Sequence, residues 1–323
     1  MSEIEDASTT VARLLKHNLR VIKDNGALAS INVSSEWREA DALKGFDGQV
    51  TVGLAECLDQ KLELSGKNRK RTSTLRVNVW ATDAPNAKNV RLMRGKIVEE
   101  VNRSIKQNRN TPNLTIYNFV GAGFGGQSPK AFQGHGEDSP SSSSWVELSS
   151  VEYQQLWYSD DTRYQLSVNE VGSYAVLMLG FRLESRKNAI KKIVLAFEGY
   201  GTAPSGDGVT IKVWSHRESS WKNPQSGGTS SIDEIITQTL PSDLTDYVDD
   251  EGFVWLLART TNPSDGSSPA TLFCDYAFCI TTVNGIAYCD IASYRPLDRV
   301  DVKPFIYRTE FVVKSWFFEN IGV

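Results

Sequence analysis

The sequence of 323 residues lacks any apolar run near the roughly 18 to 20 residues that a membrane-spanning helix needs. Its opening, MSEIEDASTT, is acidic, whereas a secretion signal starts with basic residues and continues with apolar ones. We therefore expect neither a membrane span nor an ordinary secretion signal. The net charge of −4 also gives no global reason to expect nucleic-acid binding.

Histidine and cysteine are scarce, with three and four copies, and no two cysteines have the spacing of a zinc knuckle. Cys274 and Cys279 are five residues apart in a strand-like stretch, so their side chains point to opposite faces and cannot bridge each other. We interpret the four cysteines as small buried thiols, consistent with a reducing cytoplasm, although their even number leaves a disulfide open. We expect no metal site and no cofactor.

A sharp catalytic motif is also missing. Gly121, Gly123 and Gly126 satisfy G-x-G-x-x-G, but no helix start follows them, so we interpret this segment as a flexible glycine loop. Two carboxylates at a suitable separation catalyse glycoside hydrolysis, but a sequence does not show that separation. The candidates are Asp160, Asp161, Glu184 and Glu198. We therefore predict no catalytic residues and no enzyme.

The residues that are present indicate a folded chain of two domains, with 40% hydrophobic and 10% aromatic residues. An apolar stripe from Val11 to Ile22 predicts a first helix that ends by Asn25-Gly26, and a second helix is predicted from about Asn86 to Gln107. Alternating runs predict strands at 27–33, 48–58 and 73–82. This order indicates an α+β domain with helices packed on a mainly antiparallel sheet.

The rest of the chain divides further. Residues 126–144 are rich in Gly, Ser and Pro and are interpreted as a linker. From 145 to 285, closely spaced strand-like runs predict an all-β jelly-roll sandwich, in which only SIDEIITQTL favours a helix. The alternating strand from Tyr307 to Phe318 needs a sheet to join, so we expect the sandwich to be inserted into a discontinuous domain of 1–125 plus 286–323. A simple tandem arrangement is the alternative.

A basic run, Lys67, Arg69, Lys70 and Arg71, is predicted at the tip of a hairpin in the mildly basic N-terminal part of the chain. It is a candidate for docking on an acidic partner or for contacts with DNA phosphates. The alternative interpretation is a solvated loop tip that also protects an edge strand from pairing.

Two further sets of residues have a functional and a structural interpretation. Trp214 and Trp221 flank SHRESS and could form a sugar-stacking face or belong to the core. The acidic turns at Asp207, Asp249–Glu251 and Asp265 could supply oxygen ligands for calcium, but none has EF-hand spacing. Asp-Gly turns that join strands explain them equally well.

Two resemblances to known families add expectations. The stretch from Leu244 to Tyr276, with its D-G-S-S-P-A turn before the strand TLFCDY, resembles the closing strands of carbohydrate-binding jelly-roll modules. Residues 1–120 plus 286–323, with the final strand YRTEFVVKSWF, resemble tail terminator or tail-completion proteins of tailed viruses in their order of elements.

The second resemblance implies a virion structural protein at the junction of tail and neck, assembled in the host cytoplasm. Such proteins form a homo-oligomeric ring, commonly a hexamer, that joins the tail tube to neck or connector proteins, with DNA passing through the lumen. It implies that the basic run docks on a partner and that the jelly roll projects outward. A glycan-binding adhesin or decoration protein that uses the jelly roll, with Trp214 and Trp221 as the binding residues, is the alternative.

Overall fold

The computed structural model describes residues 3–35, 45–63, 67–81, 90–241, 243–299 and 307–320. It divides into two compact units. Unit 1 comprises Glu3–Thr115 and Val283–Val323, and unit 2 comprises Ile116–Thr282. No helix within the described ranges has both the length and the apolar character that crossing a bilayer requires.

Three helices and sixteen strands are found in the described residues. The helices are α1 (Ala7–Asn18), α2 (Val90–Gln107) and α3 (Ser150–Gln154). The strands are β1 (Ile31–Ser34), β2 (Gly48–Lys61), β3 (Asn68–Ala81), β4 (Leu114–Asn118), β5 (Lys130–Gly134), β6 (Val146–Glu147), β7 (Tyr164–Val168), β8 (Val176–Arg182), β9 (Ile190–Thr202), β10 (Val209–Ser215), β11 (Ser220–Gly227), β12 (Glu234–Thr239), β13 (Phe253–Thr260), β14 (Ala270–Val283), β15 (Tyr288–Pro296) and β16 (Arg308–Asn320).

Unit 1 contains a five-stranded sheet in the order β1-β2-β3-β16-β15. β1 is parallel to β2, whereas β2, β3, β16 and β15 pair antiparallel. Val77 of β3 and Phe311 of β16, which are direct cross-strand partners, are fully buried in one apolar cluster with side chains of α1 and α2. The last described strand therefore lies inside the sheet that the first strands form, between β3 and β15.

Local sequence explains where α1 begins. Asp6 is its N-cap and accepts a hydrogen bond from the backbone N–H of Thr9 at 2.9 Å, which satisfies one of the free amides of the first turn. Val11, Leu14 and Leu15 then fall on the buried face. The predicted stop at Asn25-Gly26 is too late, because the backbone is already extended at Leu19.

Unit 2 is a β-sandwich of two sheets. One sheet has the order β11-β10-β13-β8-β5-β6, and the other has the order β12-β9-β14-β4, with β7 also paired to β14. Alternate residues of the central strands β8 and β13, such as Leu179, Phe181, Val254 and Leu256, are fully buried. Their neighbours point to the opposite face of the first sheet, because successive side chains of a strand alternate.

The predicted fold class, an α+β domain with an inserted sandwich, is wrong: the structure is mostly β, with 47% of the described residues in strands and 14% in helices. The reason is the length of the strands in unit 1. Residues 68–72 lack an apolar pattern, yet they extend β3 because they pair with β2 on one side and with β16 on the other. Backbone hydrogen bonding on both sides forms a strand that side-chain periodicity does not indicate.

Three smaller expectations also need correction. Residues 130–134 of the predicted linker form β5, which pairs with β8. SIDEIITQTL contains strand β12, not a helix, since six of its residues pair with β9. Cys57 is exposed because the second half of β2 lies outside the core, whereas the other three cysteines are buried, and all four are free thiols.

Candidate functional site

The face of the six-stranded sheet opposite the sandwich core carries large aromatic side chains. Phe253 and Trp255 alternate along β13 with fully buried aliphatic residues, so their rings lie on this other face. Trp255 is paired across the strands with Gly180 of β8. A Cβ atom at Gly180 would overlap the indole ring, so the absence of a side chain there allows the ring to lie flat against the sheet.

Six rings form one group, which we call the aromatic cluster. Its members are Phe132, Trp145, Trp214, Trp221, Phe253 and Trp255. Phe253 and Trp255 are stacked with ring centroids 5.2 Å apart. Trp214 and Trp221 are direct partners across β10 and β11 and meet edge to face at 5.2 Å. Such geometries suit the charge distribution of aromatic rings and fix their orientation.

The loop after β5 is attached to this cluster. The indole N–H of Trp145 donates to the carbonyl of Ser139 at 2.8 Å, and that of Trp221 donates to the carbonyl of Asp138 at 2.9 Å. Glu137 accepts hydrogen bonds from Lys212 at 2.6 Å and from Arg259 at 2.5 Å. The segment that composition presents as a linker is therefore held on the sheet by side chains.

Electrostatics strengthen this attachment. Burial opposes ionisation of Glu137, but the hydrogen bonds from Lys212 and Arg259 outweigh it and lower the pKa of the carboxyl group. The glycine loop is held similarly, since the amide of Gly125 donates to Glu147 at 3.2 Å and that of Phe124 donates to Ser150 at 3.3 Å. No helix begins after these glycines, because β5 follows at Lys130.

Between these loops and the cluster lies a cleft of about 700 Å³, which we call the aromatic cleft. Four rings line it: Phe132, Trp214, Phe253 and Trp255. Seven side chains with polar groups line it as well: Gln127, Lys130, Ser141, Arg182, His216, Asp249 and Glu251. Trp214 and Trp255 are 8% and 9% exposed, so each presents only part of its ring to the cleft.

The polar lining includes donors and acceptors. Arg182 donates its Nε–H to the carbonyl of Glu251 at 3.0 Å, which fixes the guanidinium group at the rim. Burial lowers the pKa of His216, although Asp249 nearby acts in the opposite direction. The imidazole is therefore neutral at pH 7, and its Nε2 has no hydrogen-bond partner among the described residues. The cleft thus combines ring surfaces with groups that bind hydroxyls.

The structure brings together only some of the residues that the sequence singles out. Trp214 and Trp221 are neighbours in the aromatic cluster, and Trp214 lines the cleft. Asp249 and Glu251, considered as calcium ligands, line the same cleft. Phe132, Trp145, Phe253 and Trp255 were missed. β13 is a continuous apolar run from Phe253 to Ala258, so its sequence does not indicate which face of the strand Trp255 occupies.

The basic run lies in unit 1, on β3 and just before it. Arg71 forms ion pairs with Asp59 at 2.7 Å and with Glu319 at 3.3 Å, and hydrogen bonding to Asp59 raises the pKa of the guanidinium group. Lys70 lies 5.1 Å above the ring of Trp316. Arg71 and Lys70 therefore already have partners within the sheet. The interpretation as a solvated hairpin tip did not predict these contacts.

Comparison with known proteins adds few constraints. Residues 129–283 match the model of a family described as "Uncharacterized protein, C-terminal domain". The enzymatically active domain of tailspike protein 4 of bacteriophage CBA120 is 10% identical with a TM-score of 0.23, over 55% of this chain and 20% of that one. TmCBM61 in complex with β-1,4-galactotriose is 7% identical with a TM-score of 0.19, over 55% of this chain and 93% of that one. No curated protein matches the chain.

Proposed function

We propose that unit 2 is a glycan-binding module and that the aromatic cleft is its binding site. The observation that carries this proposal is the combination, in one cleft, of aromatic rings with polar side chains that can donate and accept hydrogen bonds. Its volume of about 700 Å³ lies within the roughly 300 to 1,000 Å³ of small-ligand sites.

A sugar ring has the complementary surface. Its C–H groups form an apolar face that packs on an aromatic ring and leaves water. Its hydroxyls act as donors and acceptors at once. In the cleft, Asp249 and Glu251 supply acceptors, while Lys130 and Arg182 supply donors. Arg182 is held by the carbonyl of Glu251, and Asp249 by the amides of Glu251 and Phe253, so these two side chains lose little conformational freedom on binding a hydroxyl.

The first test is a screen of the full chain against an array of neutral and acidic glycans, followed by titration of the best ligand. Glu251→Gln removes a charged acceptor from an exposed side chain of the rim, so it should leave the fold intact. A hydrogen bond to a charged group contributes about 1.5 kcal/mol or more, so we expect affinity to fall about tenfold.

The matched control is Glu170→Gln, which changes an exposed glutamate of unit 2 outside the cleft and should keep full affinity. Absence of saturable binding to any glycan would sink the proposal. So would equal affinity for Glu251→Gln, Arg182→Gln and the unchanged chain.

A second candidate function rests on unit 1. We propose it as a tail-terminator-like subunit of a virion, and the supporting observation is the position of β16, which pairs with β3 along its whole length. The chain order also supports it, because α1 is followed by β1 to β3, then by α2, and the final strand β16 returns to the sheet of β1 to β3. The resemblance implies the same order of elements.

Light scattering and negative-stain imaging of the purified chain test this second candidate. It predicts a closed ring with a central hole, since heterologous contacts between identical subunits close into rings. A chain that stays monomeric both alone and with isolated tail tubes would contradict it, whereas glycan binding at the cleft would be unaffected.

A further inference from the structure

Three aspartates of unit 2 converge outside the aromatic cleft. Asp161 precedes β7, Asp233 precedes β12, and Asp275 lies within β14. Each offers one carboxylate oxygen, and these three oxygens lie within 4.8 Å of one another. With Glu198 and Asp160 they line a small pocket of about 190 Å³.

Asp275 gives an independent indication that something binds there. The residue is only 2% exposed, so its carboxylate is shielded from water. Its Oδ1 nevertheless has no hydrogen-bond partner within the described part of the chain. A buried carboxylate oxygen without a partner costs free energy that a bound cation would recover.

The charges of the pocket are not balanced by the protein. Arg163 donates to Asp233 at 2.8 Å and to Asp161 at 2.7 Å, so it neutralises one carboxylate of the group. Five carboxylates line the pocket, and Arg163 is the basic side chain that the described residues place there. The lining therefore has more acidic than basic groups.

We propose that Asp161, Asp233 and Asp275 bind a calcium ion. Calcium takes 6 to 8 oxygen ligands at about 2.3 to 2.6 Å, so two ligands on opposite sides of the ion are roughly 4.6 to 5.2 Å apart. The three oxygens are within that span. The donors are all oxygens, and the ligands come from loops and a strand, which suits the flexible coordination of calcium better than the strict octahedron of magnesium.

This site differs from the acidic turns that the sequence suggested. Asp265 accepts hydrogen bonds from Ser267 and Ser268 and closes its own turn, and Asp207 accepts from the amide of Ala203. The proposed ligands are far apart in sequence, so spacing could not reveal them.

The test uses the full chain after treatment with a chelator. Calcium chloride should bind at one saturable site by calorimetry and raise the Tm of unit 2 in a concentration-dependent manner. The increase should become smaller at acidic pH, because protons compete with calcium for the same oxygens. Magnesium chloride at equal concentration should have a smaller effect.

Asp275→Asn is the decisive variant because it keeps the shape of the side chain and removes the buried charge. Without calcium we expect it to be at least as stable as the unchanged chain, and with calcium we expect no rise in Tm. Asp243→Asn is the matched control, since Asp243 is an exposed aspartate of unit 2 whose side chain caps nothing, and it should keep the full response.

Two results would overturn the proposal. One is an unchanged chain whose Tm and calorimetric trace do not respond to calcium, which would leave Arg163 as the only counter-ion. The other is an Asp275→Asn variant that retains the calcium response. An equal or larger response to magnesium would overturn the assignment to calcium.

Discussion

Two glycines leave the space that two tryptophan rings of the aromatic cluster occupy. Gly180 faces Trp255 across the strand pair, and Gly134 faces Trp145, where a Cβ atom would lie 2.7 Å from the ring. Each indole ring occupies the space that a side chain would take. These glycines have no positive φ, so it is the close approach of a ring, not backbone freedom, that requires glycine at each position.

Gly180→Ala should therefore displace Trp255. Overpacking of this kind costs about 1 to 3 kcal/mol of unfolding free energy, and the shifted ring should also weaken glycan binding. Urea denaturation measures the loss of stability, near-ultraviolet circular dichroism detects the displaced ring, and glycan titration measures the loss of affinity. Gly136→Ala is the control: its new Cβ would meet only the Asp138 side chain at 3.9 Å, so stability should change little. Equal stability of both variants would contradict the packing described for Trp255.

Residues of this kind show the limit of sequence analysis. The tryptophan pair Trp214 and Trp221 could be selected from the sequence, because two rings flank a short turn. Asp161, Asp233 and Asp275 could not, since only the pairing of distant strands brings them together. Periodicity reports which face of an element a residue occupies, but it does not report which elements meet.

At the scale of elements, composition did not indicate which loops are held in place by side-chain hydrogen bonds. The loop from His135 to Trp145 is polar and rich in serine, yet two indole N–H groups and Glu137 hold it. β12 was missed for a different reason. Its alternation of apolar and polar residues is short, and its backbone pairing with β9 makes it a strand.

Glu137→Gln should loosen that loop. Lys212 and Arg259 would lose their shared carboxylate, and we expect a loss of about 1 kcal/mol, a modest value because the group is partly exposed and screened. The folded-state pKa of Glu137 is lowered, so its contribution is present above the ordinary carboxyl pKa and is lost as the pH falls through the lowered value.

Urea titrations at pH 7 and at pH 3 measure this directly. The difference in unfolding free energy between Glu137→Gln and the unchanged chain should be present at pH 7 and smaller at pH 3, where more of the carboxylate is protonated. Glu170→Gln should show no difference at either pH. A difference for Glu137→Gln that does not depend on pH would show that its charge does not hold the loop.

At the scale of the whole molecule, unit 1 is formed from both ends of the chain. The two points where the chain leaves and re-enters this unit are adjacent. The amide of Val283 donates to the carbonyl of Asn113 at 3.0 Å, and the Asn113 side chain donates to the carbonyl of Val283 at 3.2 Å. A short connection can therefore replace the whole of unit 2.

We expect a chain in which a short Gly/Ser linker replaces Ile116–Thr282 to fold. It keeps the five-stranded sheet with β16 between β3 and β15, so it should unfold cooperatively in urea and retain the circular dichroism of α1 and α2. A fragment that ends at Thr115 lacks β15 and β16 and should not fold. Aggregation of the linked chain would contradict the independence of unit 1.

Glycan binding at the aromatic cleft is tested most directly by titrating the full chain with the best array ligand. Tryptophan fluorescence is the readout. Trp214 and Trp255 line the cleft, so a sugar packed on them should change the emission in a saturable way. We expect Glu251→Gln to shift the midpoint to about tenfold higher ligand concentration, whereas Glu170→Gln should leave it unchanged. An emission that stays constant while the ligand binds would contradict binding at the aromatic cleft and place the site elsewhere.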